Sequence, residues 1–413
     1  MRIRGVRQTL ATHRKDILLV CALLALSVVL LLVPTGFEQS DAYQDSERVR
    51  GLILATDNSQ LKQYGIVKQG DQTLTIRILS GRFRGREVEA GNTVIGKLEL
   101  DKVFRPGDRA LVVLDLDESG TEILYANAID HYRIHVELVL VLLFLGLLAA
   151  FARWTGVKAA FSFFFAALVI WKVMIPGFLR GIDPVLLSLG VVLVLTAAIV
   201  FLVGGLTRKG LIAFLGSMAG VMVTGALSLV FGALFRVHGA VRPFSETLLY
   251  SGYPHLDITR IYLSGIFLAS SGAVMDLGMD IASAMTEVQE KRPEIGRGEL
   301  MVSGIRVGRA VIGTMTTTLL LAYSGGYTAL LMVFMARGIP MANLFNLSYV
   351  SAEILHTLVG SFGLVTVAPF TALTGAVLLA ARTRSRSRAA IHSRTLAGAA
   401  VVDPAVLHAD PED

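Results

Sequence analysis

Apolar side chains dominate runs near 17–33, 134–152, 157–175, 185–206, 211–235, 258–281 and 303–323, and a further run lies within 351–381. Each approaches the roughly 20 predominantly apolar residues that a bilayer crossing needs, so the pattern predicts a mainly α membrane protein with about eight transmembrane helices. Between the first two runs the period changes. Thr73-Leu-Thr-Ile-Arg-Ile-Leu79 alternates polar and apolar positions, as a half-buried strand does, and Gln69-Gly70-Asp71 before it suits a hairpin turn. Short strands are also expected at 48–55, 92–100, 110–115 and 121–129, with turns at Arg105-Pro-Gly-Asp108 and Glu118-Ser-Gly120. Residues 34–133 thus read as a small extracytoplasmic β domain, barrel-like and OB-like, between helices 1 and 2.

The pattern loses its regularity after the seventh run. Ser324-Gly325-Gly326 breaks a helix, and Tyr327–Ala336 is too short to cross before Arg337 and Pro340, so 325–347 is expected to be re-entrant or interfacial. A continuous helix from Ser351 to Ala381 would run about 46 Å at 1.5 Å per residue, beyond a bilayer core of roughly 30 Å. Gly360, Gly363 and Pro369 offer places for it to kink or unwind. In the fifth run, Gly216-x-x-x-Gly220 has the spacing that lets a second helix approach closely.

Composition supports the membrane assignment: 54% of the 413 residues are hydrophobic, 17% are charged, and mean hydropathy is +0.63, too apolar for an ordinary soluble domain. The net charge of +6 is not spread over a soluble face. Arg2, Arg4, Arg7, Arg14 and Lys15 precede the first run, and Arg382, Arg384, Arg386, Arg388 and Arg394 follow the last. The positive-inside rule then places both termini in the cytoplasm, along with the links at 207–210 and 290–309, and eight crossings satisfy all four placements. The basic ends are expected to meet anionic lipid rather than nucleic acid. The domains are therefore a cytoplasmic N-terminus and anchor over 1–33, the β domain over 34–133, a polytopic helical domain over 134–381, and a basic, disordered cytoplasmic tail over 382–413. Leu32-Val33-Pro34-Thr35-Gly36 has no small-residue cleavage signature, so the first run is read as an uncleaved anchor. The single cysteine, Cys21, lies inside it, and no disulfide framework is available to the exported domain.

Gly81-Arg-Phe-Arg-Gly-Arg86 would place three arginines on one face of a strand; a solvated hairpin edge is the commoner reason for such a run. With 16 acidic and 13 basic residues over 34–133, the domain is not a polyanion binder, and a protein is the partner expected for it.

Candidate chemistry concentrates in the membrane. Asp276 and Asp280 fall one turn apart in an otherwise apolar run, and Ser283 and Glu287 continue the same face. A carboxylate in lipid is costly and commonly marks an ion or substrate pathway. Asn343, Asn346, Glu353 and His356 form a second polar group toward the other end of the bundle. The candidate pathway residues are thus Asp276, Asp280, Glu353, His356, Asn343 and Asn346, for an ion or small solute. Glu353-x-x-His356 is half of a carboxylate-bridged dimetal pattern, and its other half is lacking. There is no His-Glu-x-x-His, Walker A loop or Gly-x-Ser-x-Gly. Gly278-Met-Asp280 has no partner of the kind an aspartyl intramembrane protease needs. The chain is therefore expected not to be an enzyme, with no cofactor and no metal site.

Ser271-Gly-Ala-Val-Met-Asp276, Ile281-Ala-Ser283, Leu358-Val-Gly-Ser-Phe-Gly-Leu364 with Pro369-Phe-Thr371, and Leu79-Ser-Gly-Arg-Phe-Arg-Gly85 together resemble the YibE/F-like family of bacterial multipass membrane proteins, over about residues 48–382. The resemblance implies a permease-like protein of the bacterial plasma membrane with an extracytoplasmic β domain, and it carries over no catalytic residues. Two functions are compatible with these features: transport through the helices, or an accessory role in which the exported domain recruits a partner.

Overall fold

The structure, a computed structural model, describes residues 2–37 and 46–399, with side chains over 17–37 and 46–379. The chain forms two compact units, one of residues 34–153 and one of residues 1–33 with 154–413.

In the first unit, β1 (Ser46–Asp57), β2 (Lys62–Tyr64), β3 (Val67–Ile78), β4 (Glu87–Ile95), β5 (Arg109–Leu116) and β6 (Ile123–His131) form one sheet. Five strands close on themselves in the order β1-β5-β6-β4-β3-β1, and β2 is added to β3 as a hairpin. Every pairing is antiparallel except β4 with β6, where Gly91 lies opposite Asn127. The alternation anticipated in β3 is present, with Leu74, Ile76 and Ile78 inside, and Val49, Ile53, Phe104, Val112 and Leu114 complete the core.

Three local expectations differ. The hairpin turn falls at Gly65 (φ 62°) instead of Gln69–Asp71, because β3 begins at Val67 and runs straight through that stretch. The strand expected at 92–100 ends at Ile95, where the Asp101 carboxylate accepts from the amides of Ile95, Gly96 and Lys97 and turns the chain. Finally, Gly81–Arg86 is a turn with Gly81 and Gly85 at positive φ, so its arginines do not share a strand face. Arg82 pairs with Glu47 at 3.1 Å, and Phe83 is buried.

A polar knot crosses the barrel. Gln72 is fully buried; its Oε1 accepts from the Phe104 amide at 3.0 Å and from Asn92 Nδ2 at 3.0 Å. Its Nε2 donates to the Phe104 carbonyl at 2.8 Å and to Asn58 at 2.7 Å. Gln72→Leu would orphan both backbone groups of Phe104, and unsatisfied buried groups cost about 1–3 kcal/mol each. The substitution is expected to lower barrel stability by about 3 kcal/mol, read as faster amide exchange at Phe104 and along β5; exchange at the original rate would show that the knot is dispensable.

α2 (Ile134–Val169) begins in the first unit and passes into the second at residue 154; the second unit is helical, with α1 (Arg2–Leu32), the remainder of α2, which runs on through a π turn into α3 (Ile175–Leu179), then α4 (Pro184–Gly204), α5 (Arg208–Phe235), α6 (Ser245–Tyr250), α7 (Ile258–Lys291), α8 (Arg297–Gly325), α9 (Thr328–Ala336), α10 (Met341–Asn346) and α11 (Ser348–Ala399). Among the described residues, six helices are long and apolar enough to cross a membrane. The difference from eight has two sources. The runs at 134–152 and 157–175 form two helical stretches, contiguous over Ile134–Leu179 and separated only by the non-helical backbone of Arg153 (φ 50°, ψ −129°). The apolar part of α1, Ile17–Leu32, is shorter than 18 residues. The expected disordered tail is helical in backbone to Ala399, and residues 400–413 lie outside the described residues.

α7 is the centre of this unit. Phe267, Val274, Leu277, Ile281 and Met285 are wholly buried against α5, α8 and α11. Glycines permit the closest contacts: Gly216 abuts Thr371, Gly220 faces the Gly363 carbonyl and Val367, and Gly308 abuts Ala368. The Gly216/Gly220 pair therefore does bring a helix close, namely α11. That packing also explains why α11 is unbroken where a kink was expected. Gly363 is a flat contact for α5, Gly360 lies beside Ser270 and Tyr323, and Pro369 sits inside the helix without ending it.

Candidate functional site

One end of α11 carries Glu353 and His356, three residues apart and therefore on one face. Their surroundings come from four other stretches of chain. Tyr262 of α7 donates from its hydroxyl to the Ala352 carbonyl at 2.6 Å, which ties α7 to α11 next to Glu353. Tyr323, near the end of α8, lies over the His356 ring with centroids 4.4 Å apart. Tyr327, just before α9, receives a hydrogen bond from Arg242. Arg242 follows a single helical turn, Gly239–Val241, held down by the Gly239 amide donating to Thr259 at 3.2 Å. A side chain at 239 would collide with the backbone of Ile258 and Thr259, so glycine there permits the contact that sets Arg242 in place.

Arg242 is the hub. One guanidinium nitrogen bonds Tyr327; the other lies 3.1 Å from His356 Nδ1 and 3.8 Å from Glu353 Oε2. Arginine only donates, so Nδ1 of His356 is the acceptor. Glu353 Oε2 is 3.9 Å from that same nitrogen. The carboxylate and imidazole are almost covered, at 15% and 12% side-chain exposure. Both Glu353 oxygens are fully covered, and their polar neighbours are Arg242, His356 and the Tyr327 hydroxyl. The Arg242 guanidinium also stacks on the rings of Tyr262 and Tyr327, 5.3 and 5.8 Å from their centroids. A charge with so little compensation is expensive in a low-dielectric interior.

Members of this cluster line two cavities. One of about 370 Å³ has Glu353 and Tyr327 in its wall; the other, of about 360 Å³, has Arg242, Tyr262 and His356. The six polar side chains of the cluster can exchange protons, hold a cation against the carboxylate, or hold an anion against the guanidinium.

The six residues anticipated from the sequence do not converge. Glu353 and His356 meet, as their spacing allows. Asn343 and Asn346 are exposed on α10, and Asn346 donates to its own helix at Ala342. Asp276 and Asp280 lie elsewhere on α7, exposed on an outward strip with Ala269, Gly272 and Glu287. The carboxylate stripe is real, but it turns away from the packed core and touches neither cavity. Among the described residues no group of three or more His, Cys, Asp or Glu is close enough to hold a metal ion.

Arg242 and the three tyrosines were not anticipated. Arg242 shares the 236–257 link with Arg236, and no short-range pattern sets it apart.

A family model described as YibE/F-like protein matches residues 140–381. That span contains all six residues of the cluster, whereas the barrel, with the Leu79–Gly85 phrase, falls outside it. No curated protein and no solved structure matches the chain.

Proposed function

The chain belongs to the YibE/F-like protein family, and from that premise we propose that it is a transport protein of the bacterial plasma membrane, moving an ion or small solute past Glu353. The observation that supports this reading most is a covered carboxylate beside a histidine and an arginine, on a residue that lines one cavity while those two partners line another. A structural ion pair would be expected to close up. Here the nearest approach of the opposite charges is 3.8 Å, longer than a charge-assisted hydrogen bond of about 2.7–2.9 Å. Such a group is poised to take a proton or a cation and to give it up again.

Glu353 binds the transported species, His356 accepts or relays a proton, and Arg242 supplies the counter-charge when the site is empty. The barrel, read as OB-type from its ring order and its parallel β4–β6 pair, stands beyond the membrane, and both termini are cytoplasmic.

The test is a flux screen in proteoliposomes across protons, metal cations, organic cations and small anions. Uptake above protein-free vesicles for at least one class is expected; none in any class would leave the accessory role. Asp276→Asn is expected to keep that flux within about twofold, since a neutral isostere on an outward helix face changes neither cavity. A collapse of flux would move the pathway to the α7 strip.

A further inference from the structure

The cavity on the Arg242 side of the cluster, of about 360 Å³, falls within the roughly 300–1,000 Å³ of small-molecule sites. Two kinds of surface line it. Leu248, Ile258, Ile261, Ile266 and Ala269 are apolar, and Gly265 leaves open space among them, since an added Cβ there would meet nothing within 4 Å. Arg242, Ser245 and His356 are polar, and no acidic residue is among the described residues of the wall. The hydroxyl of Tyr262, which also lines it, is already given to the Ala352 carbonyl.

The polar groups have donors to spare. The guanidinium bonds Tyr327 and His356 through its two terminal nitrogens, which leaves Nε without a partner. His356 accepts from Arg242 at Nδ1, so the proton of its neutral ring sits on Nε2. Ser245 lies one tight turn beyond Arg242, its amide donating to the Arg242 carbonyl at 3.3 Å. Among the described residues, Arg242 Nε, His356 Nε2 and Ser245 Oγ have no hydrogen-bond partner, and none of the three is fully covered. An occupant can therefore reach them, as it cannot reach the covered oxygens of Glu353.

Donors in excess of acceptors call for an oxyanion. A cation would meet Arg242 at like charge, a neutral hydrocarbon would leave the donors unpaired, and a small inorganic anion would leave the apolar walls wetted. The charge is limited to one. Arg242 is the one permanent cation in the wall, and Glu353 Oε2 already lies 3.8 Å from it, so a second negative charge on the occupant would go uncompensated.

We infer that this cavity binds a monocarboxylate with a short apolar chain, its oxygens accepting from Arg242 and the neighbouring donors and its chain lying against Ile261, Gly265 and Ile266. This goes beyond the reading of Glu353 as the transport site, because it assigns the other cavity and names the class of its ligand. One arginine balances one carboxylate. The bound anion thus replaces Glu353 as the counter-charge of Arg242 and favours a proton on Glu353, whose other ionisable neighbours are His356, Tyr262, Tyr323 and Tyr327.

The test is equilibrium binding of hexanoate to the full chain in phosphatidylcholine nanodiscs, with binding to empty nanodiscs subtracted. Hexanol and hexylammonium serve as the neutral and oppositely charged counterparts, and acetate as the anion without the chain. Hexanoate is expected to bind at least about tenfold more tightly than each of the three, the scale of one charge-assisted hydrogen bond. Hexanol, hexylammonium or acetate binding as tightly as hexanoate would overturn the inference without relying on any variant. Gly265→Leu fills the cavity from an open position on α7 and is expected to abolish hexanoate binding; undiminished binding to that variant would also overturn it. Glu353→Gln, which frees Arg242 of its carboxylate, is expected to bind hexanoate about threefold or more tightly than the unmodified chain. Weaker binding by a Glu353→Gln protein that melts as the original does would overturn the exchange of counter-charge. Because the readout is binding, it fails separately from the transport reading. Hexanoate binding without flux would sink transport alone, and flux without hexanoate binding would sink only this assignment.

Discussion

Glu353→Gln is expected to reduce flux through the reconstituted protein by at least about tenfold, which corresponds to roughly 1.4 kcal/mol. The substitution keeps the shape of the side chain and removes its charge and its capacity to bind a proton. Two consequences follow from the geometry. Arg242, 3.8 Å from Oε2, loses its counter-charge, and truncating one member of a buried charge pair commonly costs 2–5 kcal/mol. The covered carboxylate of a residue that lines the 370 Å³ cavity becomes an amide, which can neither neutralise a cation nor cycle a proton. Glu353→Asp retains the charge but draws it back by one methylene, and it is expected to fall between the two. The scaffold should survive all of these, since Tyr262 continues to hold the neighbouring Ala352 carbonyl at 2.6 Å. A Glu353→Gln protein that keeps its full flux would remove this residue from the pathway.

The second large effect concerns the helix contact that supports the site. Gly216→Ala is expected to destabilise the membrane unit by about 3 kcal/mol, at the upper end of ordinary overpacking costs. A methyl at 216 would be driven into Thr371, whose Cα lies 2.8 Å from its position and whose side chain is fully buried. Backbone opposes backbone there, so no flexible side chain can yield. α11 would have to move off α5, taking Glu353 and His356 with it. Gly190→Ala is the matched control, because an added Cβ there meets nothing within 4 Å. The expected readout is a lower melting temperature and loss of monodisperse protein for Gly216→Ala, with Gly190→Ala unchanged; equal behaviour of the two would show that the close α5–α11 approach is not needed.

What the sequence discloses about this molecule depends on the range of the interaction concerned. Local periodicity suffices for β3, where Leu74, Ile76 and Ile78 alternate into the barrel, and for the close approach at Gly216 and Gly220. It fails at Ile95, because the strand ends through a carboxylate six residues on, and at Pro369, because tertiary packing outweighs an intrinsic helix breaker. The same division runs through the candidate site. Glu353 and His356 lie one turn apart, so their pairing is visible along the chain. Arg242 is 114 residues from His356 and 85 from Tyr327, and no short-range pattern announces such contacts. Asp276 and Asp280 show the converse. Their shared face could be read directly from i and i+4, yet which way that face turned depended on how α5, α8 and α11 crowd the opposite side of α7.

The central claim, that solute passes the covered Glu353 carboxylate, is tested most directly by measuring uptake in matched proteoliposomes holding the unmodified chain, Glu353→Gln or no protein, with protons and metal cations as the first species tried. Uptake carried by the unmodified chain and reduced to the protein-free level by Glu353→Gln is the predicted result. Uptake that is equal in the two proteins, or absent from the unmodified chain across the whole solute panel, would contradict it.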